Sequence, residues 1–151
     1  MIEMLVVMVV LSILAALAVP TFSRWYPNYR LKAAAREVYS TLQTARLAAI
    51  KEGSATTYGA VTFDTANKTY RAFIDTNNDW APTGTERILK QVTLPDSVSF
   101  KDISLPGDRT RFNNRGLVDM TGSGDGQVEL QNDNGREETI TLVPAGAVKI
   151  E

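Results

Sequence analysis

Apolar and polar positions follow three different rhythms along this chain. The first is unbroken: from Met4 to Val19 no residue is charged and only Ser12 is polar, while Glu3 stands alone just before them. The second repeats every three or four residues, at Leu31, Ala34, Ala35, Val38, Leu42, Ala45 and Ala49, with Arg36, Glu37, Gln43, Arg46 and Lys51 on other faces. That spacing predicts an amphipathic helix over 30–52, stopped by Gly53, with its apolar stripe packed on the sheet that follows. The third is short and strand-like. "TTYGAVTF" and "KTYRAFI" flank "DTANK", and "QVELQ" and "ETITLV" flank "NDNGRE", whose Asn134-Gly135 pair predicts a tight turn. "RILKQVTL" and "SVSFKDISL" add strands on either side of Pro95 and Asp96, and "AVKI" supplies a final edge strand. "LVDMTGSGDGQ" reads as a polar surface loop. No internal repeat and no second domain is visible. The expected fold class is α+β, a long N-terminal helix packed on an antiparallel, β-rich head, divided as 1–23, 24–52 and 53–151.

The opening segment decides the rest. Sixteen helical residues span roughly 24 Å, short of a hydrocarbon core of about 30 Å. A secretory signal needs a basic flank before its apolar run and a small-residue cleavage site after it; here the flank is acidic and Pro20 stands at the far end. A core helix covered on all sides needs more protein than remains. Membrane residence is the better reading. Pro20 predicts a kink or break and Pro27 a second one. Phe22, Trp25, Tyr26 and Tyr29 come together with Arg24 and Arg30, which suits either a membrane–water interface or aromatic packing under the head. An ionised carboxylate at mid-bilayer costs about 2.5–3.5 kcal/mol. Glu3 is therefore either an acid placed for the helix dipole or a group that awaits a positive partner.

"IEMLVVMVVLSILAALAVPTF" resembles the N-terminal methylation segment of type IV pilins and type II secretion pseudopilins, where Gly, then Phe-Thr-Leu, then Ile-Glu precede an apolar helix interrupted by proline. Met1 stands where that family has Leu and the Gly-Phe-Thr is absent, which implies a start truncated relative to the family. "RFNNRGLV", the Gly-rich loop, "QVELQNDNGREETITLVPAGAVKI" and "YRAFIDTNNDW" resemble the head of the GspH/FimT type. The resemblance implies a minor pilin or pseudopilin, cleaved and methylated by a prepilin peptidase. It implies a single-pass inner-membrane helix in lipid with the head in the periplasm. An inner-membrane assembly platform then extracts it into a type II secretion pseudopilus or a type IV pilus beside other pilin subunits. Glu3 is expected to pair with the terminal amine of a neighbour. The alternative the resemblance carries is a FimT-like pilin that binds DNA for natural transformation.

Charge and composition sharpen this picture. Residues 24–52 hold six basic and two acidic residues, whereas beyond residue 52 fourteen acids face ten bases. There is no Cys and no His, so thiol, disulfide and His-based chemistry are excluded. The acids scatter over turns without a nucleophile beside them, and no enzyme is expected. Two constellations remain. In "DTNNDWAPTGTE", Asp75, Asn77, Asp79 and Glu86 occupy positions 1, 3, 5 and 12 of an EF-hand-like loop. They suit Ca²⁺ or a plain hairpin loop, with Trp80 where the sharp-turn glycine belongs; no other cofactor is expected. For DNA, Arg109, Arg111 and Arg115 of "RTRFNNR" form either a basic patch or an exposed strand. Lys149 alone survives of the basic pair the resemblance places in the last strand, and a net acidic head opposes phosphate binding.

Overall fold

The computed structural model of the chain describes residues 2–84, 86–119 and 124–151, and the side chains of these other than 17–24. Helix α1 (Ile2–Glu52) is followed by eight strands: β1 (Tyr58–Asp64), β2 (Thr69–Asp75), β3 (Ile88–Thr93), β4 (Val98–Ile103), β5 (Arg109–Phe112), β6 (Gly126–Asn132), β7 (Glu137–Leu142) and β8 (Val148–Ile150). At 1.5 Å per residue α1 is roughly 76 Å long. It continues through Pro20 and Pro27, so of the kink or break expected at each the break does not occur. A single proline deletes one rung of the i→i−4 ladder, and the rungs on either side carry the helix on. The side chain of Pro20, like those of Phe22 and Arg24, lies outside the described residues. Termination comes at Gly53, which adopts φ 65° and returns its N–H to the Ala49 carbonyl at 3.2 Å.

The head is two four-stranded antiparallel sheets rather than one, in the orders β3-β2-β1-β5 and β4-β6-β7-β8. The expected hairpins are both present: Val61 pairs with Ala72 and Phe63 with Tyr70 across β1–β2, and Leu130 pairs with Glu138 across β6–β7. β3 and β4, neighbours in sequence, part into different sheets. The last strand lies at an edge beside β7, as expected.

The second half of α1 joins the sheets, touching strands of both. All seven residues of the predicted stripe, Leu31 to Ala49, are buried in one cluster with Val61, Phe63, Tyr70, Ala72 and Phe112 of the first sheet and Val128, Leu130, Ile140 and Leu142 of the second. Phe100 of β4 stands edge-on to Phe63 and Tyr70, with centroids 5.8 and 6.5 Å apart, closing the two sheets on each other. Burial pushes the Tyr70 phenol above its ordinary value. Asn132, buried in β6, donates from Nδ2 to Oδ1 of Asn28 at 2.8 Å and so ties the second sheet to the helix above the stripe. Four of the seven stripe residues are alanines, which let the backbones approach closely. A methyl group on Gly59 of β1 would stand 2.0 Å from the Ala45 carbonyl oxygen, and one on Gly146 would stand 1.9 Å from that of Gly116.

Gly59→Ala is therefore expected to destabilise the head by about 3 kcal/mol through overpacking alone. Gly124, with open space where its methyl would point, serves as the control. Chemical denaturation of the two alanine variants checks this; equal midpoints would refute the close approach.

Candidate functional site

Two regions stand apart from the core. The first is the free end of α1. Every residue from Ile2 to Ala16 is exposed, including eleven large aliphatic or thioether side chains from Ile2 (80%) to Leu14 (58%). Glu3 lies in the first turn, where a negative charge favours the helix dipole. Further along, Trp25, Tyr26 and Tyr29 are exposed as well; Trp25 stacks on Tyr29 at 5.8 Å and the Arg30 guanidinium lies 4.6 Å over the Tyr26 ring. Of the two settings the sequence allows these aromatics, packing under the head is not the one observed. Among the described residues no helix is long and apolar enough to cross a membrane.

The second region is the β2–β3 connection and the strand it covers. Residues 60, 73 and 111 are adjacent in register on the face of the first sheet turned away from α1. Ala60 and Phe73 are buried there outside the main cluster. Arg111 is the centre of this face. It is not on an exposed strand: its side chain is 10% exposed, and Thr110 and Phe112 beside it are buried too. Its guanidinium lies between two rings, 4.0 Å from the Tyr58 centroid and 3.8 Å from that of Trp80. It donates through Nε to Asp119 Oδ2 at 2.7 Å, with Nη2 2.6 Å from the same oxygen, and through Nη1 to Asn78 Oδ1. Nη1 is also 3.8 Å from Oδ2 of the fully buried Asp75. Trp80, in the glycine position of the loop, meets the backbone demand itself: Asn78 and Trp80 both adopt left-handed backbone, φ 65° and 64°. The cost of that conformation in a bulky residue is offset by the cation–π contact it delivers.

Sequence reasoning placed Arg111 among solvent-facing basic residues because its partners, Tyr58, Asn78, Trp80 and Asp119, are scattered over sixty residues. Arg109 is half-buried, with its guanidinium 5.7 Å over Trp80. Arg115 is exposed on the turn after β5, and Lys149 is exposed on β8 of the other sheet. The four basic candidates are thus split between two sheets, and one of them is committed to internal partners.

The loop itself gathers the acidic candidates. Asp75, Asp79 and Glu86 each bring a carboxylate oxygen within 4.8 Å of the other two. Loop donors hold them: Asn78 N–H on Asp75 Oδ1 at 2.6 Å, Ala81 N–H on Asp79 Oδ1 at 2.8 Å, and Thr76 N–H on Glu86 Oε1 at 2.9 Å. Asn77 Nδ2 and the Thr83 hydroxyl both donate to Asp79 Oδ2, at 2.9 and 2.6 Å. The Thr83 bond above all holds the Asp79 carboxyl below its ordinary range. A shallow cavity of about 440 Å³ beside the loop is lined by Trp80, Pro82, Arg71, Arg109 and Asp64.

The family model that matches the chain is that of type II transport protein GspH, over residues 34–146. The fold is similar to that of the minor pseudopilin EpsH from the type 2 secretion system of Vibrio cholerae, with a TM-score of 0.60 at 16% identity over 81% of this chain and 96% of that one. It is also similar to the type IV minor pilin FimU of Pseudomonas aeruginosa, with a TM-score of 0.63 at 15% identity over 82% and 90%. A second crystal form of FimU gives 0.59 at 16% identity over 80% and 92%. No curated protein matches the chain by sequence.

Removing Arg111 strands two carboxylates. Arg111→Ala is expected to cost about 3–5 kcal/mol, as for breaking a buried pair from one side, and Arg111→Lys to recover less than half, since an ammonium neither forks nor stacks in the same way. Denaturant unfolding measures both; a cost below about 1 kcal/mol would show the contact to be a surface pair. Because the pKa of Asp79 is depressed in the fold, its contribution is present above the ordinary carboxylate range and lost as pH falls below that range through the depressed value. Thr83→Val should raise its midpoint, read by NMR titration of the carboxyl carbon.

Proposed function

Because this chain belongs to the GspH family of type II transport proteins, we propose that it is a minor pseudopilin, anchored in the inner membrane by α1 and assembled through that helix into a type II secretion pseudopilus or a type IV pilus. The observation that carries this reading is the bare apolar end of α1. Eleven exposed large apolar side chains on one projecting helix form a surface far beyond what a lone soluble protein keeps in water. Covering them stabilises the covered state by roughly 1 kcal/mol each, on the order of 10 kcal/mol together. Lipid and a bundle of like helices are the two covers that suit a helix apolar on every side.

Lipid comes first. The uncharged run of residues 4–19 spans roughly 24 Å as a helix, most of a hydrocarbon core of about 30 Å. The exposed Trp25, Tyr26 and Tyr29 then fall at the headgroup level, where amphipathic rings settle. The head follows on the periplasmic side. Assembly gives Glu3 its role: inside a fibre of packed helices an acid is tolerated when an opposite charge meets it, and the terminal amine of a neighbouring subunit supplies one. The pairing sets the axial register. A prepilin peptidase and an inner-membrane platform are the expected processing and extraction partners.

Glu3→Gln keeps shape and removes charge. The variant is expected to remain in the membrane fraction at normal level while its incorporation into fibres, read by cross-linking of neighbouring subunits, falls at least tenfold, about 1.4 kcal/mol of assembly free energy. Unchanged incorporation would contradict the charge-pairing account.

A further inference from the structure

The β2–β3 loop carries more negative charge than its surroundings answer. Asp75, Asp79, Glu86 and Asp119 face two guanidiniums, those of Arg109 and Arg111, leaving a surplus of two negative charges. Asp75 is the decisive member. Its side chain has no exposure at all; Oδ1 accepts from Asn78 N–H, yet Oδ2 accepts no hydrogen bond. The nearest cationic nitrogen, Arg111 Nη1, stands 3.8 Å from it, beyond hydrogen-bonding reach, and that guanidinium gives its hydrogens to Asp119 and Asn78. A fully buried carboxylate oxygen without a donor is costly, and such groups call for an ion or another partner.

We propose that Asp75, Asp79 and Glu86, with Asn77 beside them, form a Ca²⁺ site. Oxygen donors alone, contributed from alternate positions of one loop and closed by an acid at position 12, are the set a hard, flexible divalent cation takes. The convergence is already built, with the three carboxylates within 4.8 Å of one another. Asn78 and Trp80 take the left-handed backbone with which the loop turns after Asp75. One divalent ion cancels the surplus charge and gives the buried Asp75 carboxylate a further partner. The guanidinium of Arg111 lowers the affinity through repulsion, which places the site with weak extracellular modules, at a Kd on the order of 10⁻⁴ M. Binding then stiffens the loop that presses Trp80 onto Arg111, so the ion acts on head stability rather than on chemistry.

The test is calorimetric titration of the full chain in detergent micelles with CaCl₂ after removal of divalent ions by chelation, with MgCl₂ titrated in parallel. The expected result is one Ca²⁺ per chain, weaker Mg²⁺ binding, and a higher unfolding temperature with Ca²⁺ than with chelator. Asp79→Asn and Glu86→Gln should each weaken binding at least tenfold. No saturable heat and no rise in unfolding temperature at millimolar Ca²⁺ in the unmodified chain would overturn the proposal. So would binding that survives unchanged in the double variant, which would mark an adventitious ion only.

Discussion

Everything in this molecule depends on how closely one helix can lie against two sheets. The stripe from Leu31 to Ala49 is mostly alanine, and the strand opposite answers with Gly59, so backbones approach to a distance that a single added methyl group would forbid. Larger side chains, Leu31, Val38 and Leu42, are fully buried along the same stripe. The helix is thereby held over residues 31–49 and bare over residues 2–16. The exposed end is a consequence of the same continuity that orders the core: one rigid rod passes from a packed environment into a bare one.

The outer face of the first sheet solves a different problem. There the strands carry Ala60, Phe73 and Arg111 away from the helix, and the β2–β3 loop folds over them. Trp80 serves as the lid and Arg111 as the post beneath it, with Tyr58 on the other side of the guanidinium. Acids from two separate segments, Asp75 at the end of β2 and Asp119 after β5, are drawn to the same post. The head therefore has a hydrophobic centre under the helix and an electrostatic one beneath the loop, and the second is where charge remains to be balanced.

Periodicity revealed the first centre and missed the second. The three- and four-residue spacing of Leu31 to Ala49 named every buried apolar position among the described residues of α1 and left out the buried Thr41. Both hairpins were legible from alternation and from turn residues; Gly135 adopts φ 75°, as the Asn-Gly pair requires. The division into two sheets was not legible. A strand's alternation tells which residues share a face but not which strand lies beside it, and β3 and β4 follow each other in sequence while pairing elsewhere. Proline read as a kink or a break, and the break is absent because local rules weigh one lost hydrogen bond and not the long helix around it. Arg111 read as solvent-facing because alternation with Arg109 marks a polar face, and only tertiary structure brings Tyr58, Trp80 and Asp119 to it. The acidic loop was legible as a spacing, and the structure adds the burial of Asp75.

The central claim is that one helix serves two environments, protein over residues 31–49 and lipid or sister helices over residues 2–16. The absence of native cysteine makes it directly measurable. Single cysteines at Leu5, Val9, Ile13 and Leu47 can be challenged in intact membranes with a water-soluble maleimide and challenged again after detergent extraction and unfolding. Protection of positions 5, 9 and 13 in the membrane, with free labelling of the solvent-facing position 47, is the predicted result. Rapid labelling of positions 5, 9 and 13 in untreated membranes, with the chain recovered in the soluble fraction, would contradict it.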